Sequence, residues 1–488
     1  MALDAEQLHV SPLGGDIMAV SWASASGQLA HVQIQRLGLN MEPVPGSERN
    51  YRPQTVRYDI LCGQRFAANC RLPARYSSPL LLHAHVPVEP AVRYRFRLAS
   101  NQTAGTTPWR NLKGLPKRGD ELKVAVIGDL GQTAFSEATC RDVAKVHRSD
   151  GLDLGVLLGD LSYADTNASR WDSFQRMFDT SGCADIPWVV LPGNHEIEPD
   201  EITGEPFLPF RSRWRTPQYR EATVSAPPQD AWQGWLTYDF PSMSFDFGSS
   251  FFSLEVGCVH LLVLNPYTDA SPSSPQIAWL QSELKRINRS ETEHVAVLTH
   301  APWHHSSVEH RPEREAATRN LLSAAGPLLL PDKTDLVFSG HVHAFERSLP
   351  IDGVQHFVVG HGGNREELYD NWLPSSTSAF HAGDHYGWGL LHLRPRRLGP
   401  STFKARRGAD GAVMDAVEFW PRDSAPSQPG KEDQGGVPGP AGLLGATAAC
   451  LVVCCLCAAC FYRRARVRAR YEEKTALRRE TVTIGVMS

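Results

Sequence analysis

The chain has 488 residues, an apolar fraction of 42% and a formal net charge of -4. At roughly 100–200 residues per domain, this length predicts two or three folded units, and the apolar fraction allows a sizeable core. The near-neutral charge balance gives no electrostatic reason to expect a nucleic acid partner, so none is predicted.

The N-terminal part, residues 5–105, consists of short apolar segments separated by turn residues. Strands are expected at Val20–Trp22, Ala30–Ile34, Thr55–Leu61, Leu80–His85 and Val92–Leu98. Several strands at this short spacing predict a β-sandwich. Since this part contains no cluster of reactive side chains, we expect it to be structural.

Beyond Lys123 the pattern changes to apolar strand-like runs that alternate with helix-compatible stretches. The helices are expected at Ser136–Arg148, Gln276–Asn288 and Pro312–Ala325. This alternation predicts an α/β domain over residues 120–420. In such domains ligands bind where the strands end.

The C-terminal residues predict a membrane anchor. A linker rich in Pro, Gly and Ser, residues 421–440, precedes an uncharged apolar run, residues 441–462, long enough to span a bilayer. The tail, residues 463–488, begins with an arginine cluster, which the positive-inside rule assigns to the cytoplasm. The catalytic domain would then be extracellular or lumenal.

A lumenal or extracellular catalytic domain needs a signal peptide. The first residues of the sequence lack the apolar core of such a peptide, so this topology would need a leader upstream of them. The alternative is a tail-anchored protein with a cytosolic catalytic domain. Asn-x-Ser/Thr triplets at Asn101, Asn167 and Asn288 suit a lumenal glycoprotein, and Cys460 near the end of the apolar run is a candidate for palmitoylation.

The ten cysteines fall into two groups. One group crowds the apolar run near the C-terminus, and the other is scattered through the preceding part as Cys62, Cys70, Cys140, Cys183 and Cys258. Because the scattered group is odd in number, at least one of its thiols is unpaired or pairs between chains. Cys62 and Cys70 are close enough in sequence to bridge a hairpin, with buried free thiols as the alternative.

Polar side chains with lone pairs follow the apolar runs of the α/β part. They are Asp129, Asp160, Tyr163, Asn194, His300, His341 and His343. Carboxylate, amide and imidazole donors suit iron, zinc and manganese. A tyrosine joins such a set as phenolate only beside a strongly acidic metal ion, since free tyrosine titrates near 10. Each residue alone has an ordinary structural explanation, such as a helix cap, but together they predict a two-metal site.

The blocks that contain these donors resemble those of the purple acid phosphatases, which belong to the dinuclear metallophosphoesterases. The blocks are GDLG (128–131), GDLSY (159–163), GNHE (193–196), VLTH (297–300) and GHVH (340–343). Most metallophosphoesterases have Asp-x-His in the first block. Here Gly131 replaces that histidine and Tyr163 follows Asp160 by three residues, which distinguishes the purple acid phosphatases.

The resemblance covers roughly residues 5–395 and implies the fold. An α/β metallophosphoesterase sandwich, in which two mixed sheets are flanked by helices, would follow an all-β fibronectin- or Ig-like sandwich. A single transmembrane helix would come last.

The resemblance also implies the metal ligands. A ferric ion would be bound by Asp129, Asp160, Tyr163 and His343. A divalent ion (Zn, Fe or Mn) would be bound by Asp160, Asn194, His300 and His341, so that Asp160 bridges the two. The Tyr163 phenolate would give the purple charge-transfer colour.

The implied function is that of an acid phosphatase that hydrolyses phosphate monoesters, with a metal-bound hydroxide as nucleophile. His195 resembles the histidine that contacts the phosphoryl group in the family, and His310 resembles its leaving-group acid. His304 and His305 are competing candidates for the acid.

Other functions and residues are left open. A phosphodiesterase, an enzyme that prefers nucleotides or phytate, and a non-catalytic surface receptor are the alternative functions. The segment VVGHGGNREEL is similar to a family segment that ends in Gly-Gly-Asn, but His361 stands where the family has an acidic or small residue. Trp232 and Trp303 either line a substrate cleft or pack in the core.

Overall fold

A computed structural model describes residues 3–61, 75–100, 104–165, 167–198, 206–217, 223–225, 244–246, 250–330 and 333–421. The predicted linker after Pro421, the membrane span and the cytoplasmic tail lie outside these residues, as do Cys62, Cys70, Asn101 and Trp232. Within the described ranges, no helix is both long enough and apolar enough to cross a membrane. All described residues belong to one compact unit, Met1–Ser424.

The first strands of this unit are β1 (Glu6–Gly14), β2 (Ile17–Ser24), β3 (Ala30–Arg36), β4 (Arg49–Tyr51), β5 (Gln54–Val56), β6 (Asp59–Leu61), β7 (Arg75–Ser77), β8 (Leu80–Pro87), β9 (Arg93–Ser100) and β10 (Arg110–Lys113). The remaining strands are β11 (Leu122–Ile127), β12 (Leu154–Leu157), β13 (Trp188–Val190), β14 (Thr223–Ser225), β15 (Ser244–Asp246), β16 (Phe252–Val256), β17 (Val259–Val263), β18 (His294–Leu298), β19 (Leu336–Ser339), β20 (Phe345–Ser348), β21 (Gln355–Val359), β22 (Ser378–Ala382), β23 (Gly387–Leu393), β24 (Ser401–Arg407) and β25 (Val413–Phe419). The helices are α1 (Ala134–Asp150), α2 (Ser169–Thr180), α3 (Leu208–Arg213), α4 (Pro275–Arg286) and α5 (Ala316–Leu329).

The N-terminal strands form two four-stranded antiparallel sheets, in the orders β1-β2-β8-β5 and β10-β9-β3-β4. Along β3 the buried residues Ala30, Val32 and Ile34 alternate with half-buried polar residues, as expected for a strand with one face in a core. Apolar side chains of both sheets share that core, so the sheets pack face to face. The predicted N-terminal β-sandwich is therefore present, and its likeness to a fibronectin domain stays a prediction, as do the domain boundaries.

The α/β part consists of two mixed sheets. The orders are β13-β12-β11-β23-β24-β25 and β16-β17-β18-β19-β21-β20-β22. Val124 and Val126 of β11 face the core between the sheets, whereas Ala125 and Ile127 face α1 and α2 on the outside. The second sheet is covered on its outer face by α4 and α5. Burial on both faces explains why these strands are apolar throughout, and it confirms the predicted sandwich of two mixed sheets flanked by helices.

A buried arginine links the N-terminal sandwich to the α/β part. The Arg213 guanidinium is fully buried and donates to the Tyr58 hydroxyl at 2.7 Å and to Asp172 Oδ1 of α2 at 2.8 Å. It also donates to Gln7 Oε1 at 3.1 Å and to Gln175 Oε1 at 2.8 Å. A buried charge is tolerated only when it is paired in this way, so the contact fixes the sandwich against α2.

A disulfide links Cys140 of α1 to Cys183, which begins the one-turn 3₁₀ helix Cys183–Asp185 after α2. Cys258 is a buried free thiol, in agreement with the expectation that at least one scattered cysteine is unpaired. The Cys140–Cys183 pair was not predicted, because the two residues are 43 positions apart in sequence.

Candidate metal centre

The predicted donor residues follow strands that run parallel within each sheet. Asp129 and Asp160 follow the parallel neighbours β11 and β12, and Asn194 begins a one-turn 3₁₀ helix after β13. In the other sheet, His300 follows β18 and the GHVH block follows its parallel neighbour β19. The carboxyl ends of parallel strands meet at one edge of a sheet, so both sheets deliver donors to the same place.

One group of donors is formed by Asp129, Tyr163 and His343. The Tyr163 hydroxyl lies 3.2 Å from Asp129 Oδ1 and 3.1 Å from His343 Nε2. His343 Nε2 lies 3.5 Å from Asp129 Oδ1. All three residues are buried.

A second group lies beside the first. His300 Nε2 is 3.1 Å from both Asp160 Oδ2 and Asn194 Oδ1. The ligand atoms of Asp160, His300 and His341 all lie within 4.8 Å of one another. The structure thus brings the predicted metal ligands to one buried place, in two neighbouring groups. The assignment of each ligand to a particular ion stays a prediction.

The backbone at these donors is strained. Asp129, Asp160, Tyr163 and His341 have φ angles of 57°, 52°, 49° and 67°, in the left-handed region that side chains rarely adopt. Such strain clusters at functional sites, where surrounding contacts hold it in place.

Two glycines let the backbones of neighbouring blocks approach the carboxylates. A Cβ added at Gly193 would lie 2.1 Å from Asp160 Oδ1, and one at Gly340 would lie 2.5 Å from Asp129 Oδ2. Both distances are impossible for real atoms. The glycines of GNHE and GHVH are therefore needed for close approach to the acidic ligands.

Backbone groups orient the histidines. His300 Nδ1 lies 2.6 Å from the Leu158 carbonyl oxygen, and His343 Nδ1 lies 3.0 Å from the Glu367 carbonyl oxygen. A proton on each Nδ1 leaves Nε2 unprotonated and directed at the centre, which is the arrangement of most metal-binding histidines.

The centre carries an excess of negative charge. Burial and then the Asp129 and Asp160 carboxylates raise the pKa of the Tyr163 phenol well above its usual value. Burial disfavours a charged His300, but the Asp160 and Asp129 carboxylates and the Leu158 carbonyl together outweigh this effect and raise the His300 pKa to about 9. In the described part of the chain, no lysine or arginine pairs with either carboxylate. These groups fit a cationic cofactor, because bound cations would supply the positive charge and permit a phenolate.

The spacing of the donors fits metal ions as well. Ligands about 2.0–2.2 Å from one ion lie roughly 3 Å apart when they are neighbours in its coordination shell. The Tyr163 hydroxyl lies 3.1–3.2 Å from Asp129 Oδ1 and His343 Nε2, and His300 Nε2 lies 3.1 Å from Asp160 Oδ2 and Asn194 Oδ1, which are separations of this size.

His195 lies between acidic groups beside the metal ligands. Its Nδ1 makes a short contact with Asp165 Oδ1, and its Nε2 lies 3.8 Å from Asp160 Oδ2 and 3.5 Å from Glu366 Oε2. Burial disfavours its charged form, but Asp160 and Asp165 outweigh burial and raise its pKa well above the usual value. The acidic neighbours thus favour the charged form of His195 at the edge of the site.

His310 also lies at the site. Its ring centroid is 4.0 Å from that of His341, its Nδ1 is 2.7 Å from Glu315 Oε1 and its Nε2 is 3.3 Å from the Tyr369 hydroxyl. Glu315 also contacts His341 Nε2, at 3.0 Å.

The two competing histidines have other contacts. His305 Nε2 lies 2.9 Å from the carbonyl oxygen of His310, and His304 packs against the ring of His356. Trp303 is buried in the core under α4 and α5, so it packs there and does not line a cleft. His361 is fully buried and neither ring nitrogen has a partner within the described residues.

Several residues of the site were not identified from the sequence. Glu196 accepts N–H groups of Asp160, Leu161 and Gly193, and thereby joins two donor blocks. Its place in GNHE was a signal that could have found it, as was the place of Asp165 two residues after Tyr163. Glu315, Arg365 and Tyr369 carry no comparable local signal, since only the folded loops bring them here. 

Comparisons with known proteins agree with this site. A family model described as calcineurin-like phosphoesterase matches residues 122–345. Purple acid phosphatase 22 of Arabidopsis thaliana is 30% identical over 430 residues, which cover 86% of this chain and 85% of the relative. The chain belongs to the purple acid phosphatase family. Another Arabidopsis thaliana relative, Fe(3+)-Zn(2+) purple acid phosphatase 12, is 31% identical over 62% of this chain and 64% of its own length.

A solved structure supports the fold. The purple acid phosphatase isolated from yellow lupin (Lupinus luteus) seeds superposes with a TM-score of 0.68 at 19% identity, covering 85% of this chain and 74% of the lupin chain. Membership of the purple acid phosphatases confirms the predicted hydrolase of phosphate monoesters and its centre of Fe(III) with a divalent metal.

Proposed function

We propose that this purple acid phosphatase binds its metals through the two donor groups of the strand ends. Asp129, Tyr163 and His343 would bind the ferric ion, Asn194, His300 and His341 the divalent ion, and Asp160 both. The observation that carries this proposal is the convergence of both groups at 3.1–3.5 Å separations. Bound there, the ions would neutralise phosphate charge and lower the pKa of water.

His195 would contact the phosphoryl group. Its imidazolium places positive charge where negative charge develops during phosphoryl transfer. Asp165 on Nδ1 fixes the ring, so that Nε2 faces Glu366 and Asp160.

His310 would protonate the leaving alkoxide. The Glu315 carboxylate accepts a hydrogen bond from Nδ1, at 2.7 Å, so the proton to be donated is the one on Nε2. Glu315 thereby has the role of the residue that orients a catalytic acid.

We further propose the predicted organisation around this domain. Residues 5–105 would be a fibronectin-like support and residues 441–462 a membrane anchor, with the catalytic domain lumenal or extracellular. The Cys140–Cys183 disulfide supports this location, because disulfides persist mainly in oxidising compartments. Asn288 is exposed, as a glycosylation acceptor must be. The full chain made in cells should carry a glycan that Asn288→Gln or Asn167→Gln removes. If neither substitution removes a glycan, the lumenal or extracellular location loses this support.

The metal roles are tested with Asp160→Asn and Tyr163→Phe. The first should lower activity by several orders of magnitude, and the second should remove the visible absorption band while the protein still folds. The matched controls are Asp384→Asn, at an exposed position, and Tyr386→Phe, at a half-buried position where the ring stacks on Phe135. Full activity of the Asp160 variant, or an unchanged band in the Tyr163 variant, would contradict the proposal.

The role of His310 is tested by changing the leaving group. His310→Asn should slow hydrolysis of an alkyl phosphate by about 10²–10⁴-fold, but that of an activated aryl phosphate far less, because a good leaving group needs no proton. His304→Asn is the control. Equal losses on both substrates would show that His310 is not the acid.

A further inference from the structure

Two arginines lie near the proposed phosphoryl end of the site, and one of them, Arg365, pairs with a carboxylate there. Arg365 contacts Asp165 Oδ2 through one guanidinium nitrogen, while the other oxygen of Asp165 is occupied by His195. Arg170 donates its Nε to the carbonyl oxygen of Tyr163, at 2.9 Å. Burial lowers the pKa of Arg170, and the charge of Arg365 lowers it further. Two guanidinium groups thus lie at this end of the site.

The position of Arg365 is fixed with respect to the metal ligands. It follows Asn364, whose backbone N–H and side-chain amide both donate to the carbonyl oxygen of Asp129, at 3.2 Å each. Its side chain is nevertheless 37% exposed, so part of the guanidinium is open to solvent and to a ligand. A rigid base with an accessible charged end is suited to binding an anion.

The distance to the reacting phosphate follows from this chain of contacts. Arg365 reaches Asp165, and Asp165 reaches His195, the residue placed at the phosphoryl group. Two hydrogen bonds, one carboxylate and one imidazole ring lie between the Arg365 guanidinium and His195 Nε2. The guanidinium and Nε2 are therefore roughly 7–9 Å apart. A second anionic group several bonds from the ester oxygen could therefore reach Arg365 while the phosphoryl group is bound at His195.

Glu366 is the other carboxylate beside His195. It lies 3.5 Å from Nε2 of that ring, whereas Asp165 contacts Nδ1. Ligand atoms of Asp165, His195 and Glu366 lie within 4.8 Å of one another, so the Glu366 charge belongs to the same cluster. Arg365 adds to this cluster a guanidinium that is partly open to solvent.

We propose that Arg365, supported by Arg170, binds a second anionic group of the substrate, so that the preferred substrates are phosphate monoesters whose leaving part carries a carboxylate or a further phosphate. This rests on the proposed placement of the phosphoryl group at His195. Arg365 is then a specificity-determining residue, whereas the hydrolysis itself depends on the metal ligands.

The test compares aryl phosphates that differ only in the second anion. Phenyl phosphate, 3-carboxyphenyl phosphate and benzene-1,3-bisphosphate are assayed with the full chain and with Arg365→Gln, and Arg49→Gln on the distant strand β4 is the control. In Arg365→Gln, the ratio of kcat/KM for acidic to neutral substrate should fall about 3- to 10-fold, the loss expected for a partly exposed charge-assisted hydrogen bond. Arg365→Lys should restore part of it, and Arg365→Glu should lower it further.

The ratio decides the outcome. An unchanged ratio, even with lower rates on all substrates, would overturn the proposal, because it would mean that Arg365 acts only by orienting Asp165 and His195. A fall confined to the bisphosphate would identify the second anion as a phosphate, and a fall confined to the carboxylate would identify it as a carboxylate. Activity of Arg365→Gln on phenyl phosphate shows separately that the proposed metal centre is intact.

Discussion

The Glu196 side chain is the point where a single substitution should disturb both stability and metal binding. Its Oε2 accepts the N–H groups of Asp160 and Gly193, at 2.8 Å each, and its Oε1 accepts that of Leu161, at 2.9 Å. The side chain is fully buried. In Glu196→Ala, three buried N–H groups lose their acceptor.

The expected magnitude follows from these contacts. Each buried donor left without a partner destabilises a protein by about 1–3 kcal/mol. Because water can enter the space left by the carboxylate and satisfy part of the set, we expect a total loss of about 3–5 kcal/mol. For a unit of this size, this corresponds to a fall of roughly 5–10 °C in the unfolding midpoint.

The assay is thermal unfolding together with the metal content of the purified protein. Glu196→Ala should bind less metal, since Asp160 and Asn194 both lie in backbone segments that Glu196 holds. Glu196→Gln keeps one acceptor oxygen and should give an intermediate loss. Glu418→Ala, an exposed residue of β25, is the matched control. A midpoint within about 1 °C of the control at normal metal content would refute this account of Glu196.

Three further predictions concern other parts of the fold. Replacing both Cys140 and Cys183 by serine should destabilise the protein by about 2–4 kcal/mol, and reductant should no longer shift the midpoint of the variant. The pairing of Glu283 with His260 lowers the Glu283 pKa to about 2. The stabilisation of the fold by this pair is therefore complete above pH 4.5 and is lost as the pH falls toward 2. Glu283→Gln should weaken the pH dependence of the unfolding midpoint between these values, and an unchanged dependence would contradict this prediction. Burial lowers the pKa of His361 to about 3, and both ring nitrogens lack a partner within the described residues. His361→Leu should therefore raise the free energy of unfolding by about 1–2 kcal/mol. A lower unfolding midpoint in this variant would show that the ring has a partner.

The strands and donors of the α/β part could be predicted because both depend on local sequence. A strand buried on both faces, such as β18, is apolar along its whole length, and a polar residue directly after it is conspicuous. The helices α1, α4 and α5 were predicted within a few residues for a similar reason. Thr133 and Ser274 cap the first two of these helices and mark their starts.

The helix α2 was missed although its apolar residues have helical spacing. Trp171, Phe174 and Phe178 form its buried face. However, its N-cap is Ala168, which offers no side-chain acceptor, so the sequence contains no start signal for this helix. The short helix α3 and the Arg213 contact could not be predicted either, since a buried ion pair between distant segments leaves no periodic pattern.

The arrangement of the candidate centre depends on contacts between its loops more than on the donors alone. Left-handed backbone at a residue such as Asp129 or Asp160 is unfavourable by itself, so other contacts must hold it. The N–H of Asp129 donates to the Gly159 carbonyl at 3.1 Å, and that of Gly340 donates to the His300 carbonyl at 2.9 Å. Each donor block is thus hydrogen-bonded to the next. The blocks resemble those of one family because each must fit its neighbours as well as bind metal, and a single block, such as GNHE, would predict very little.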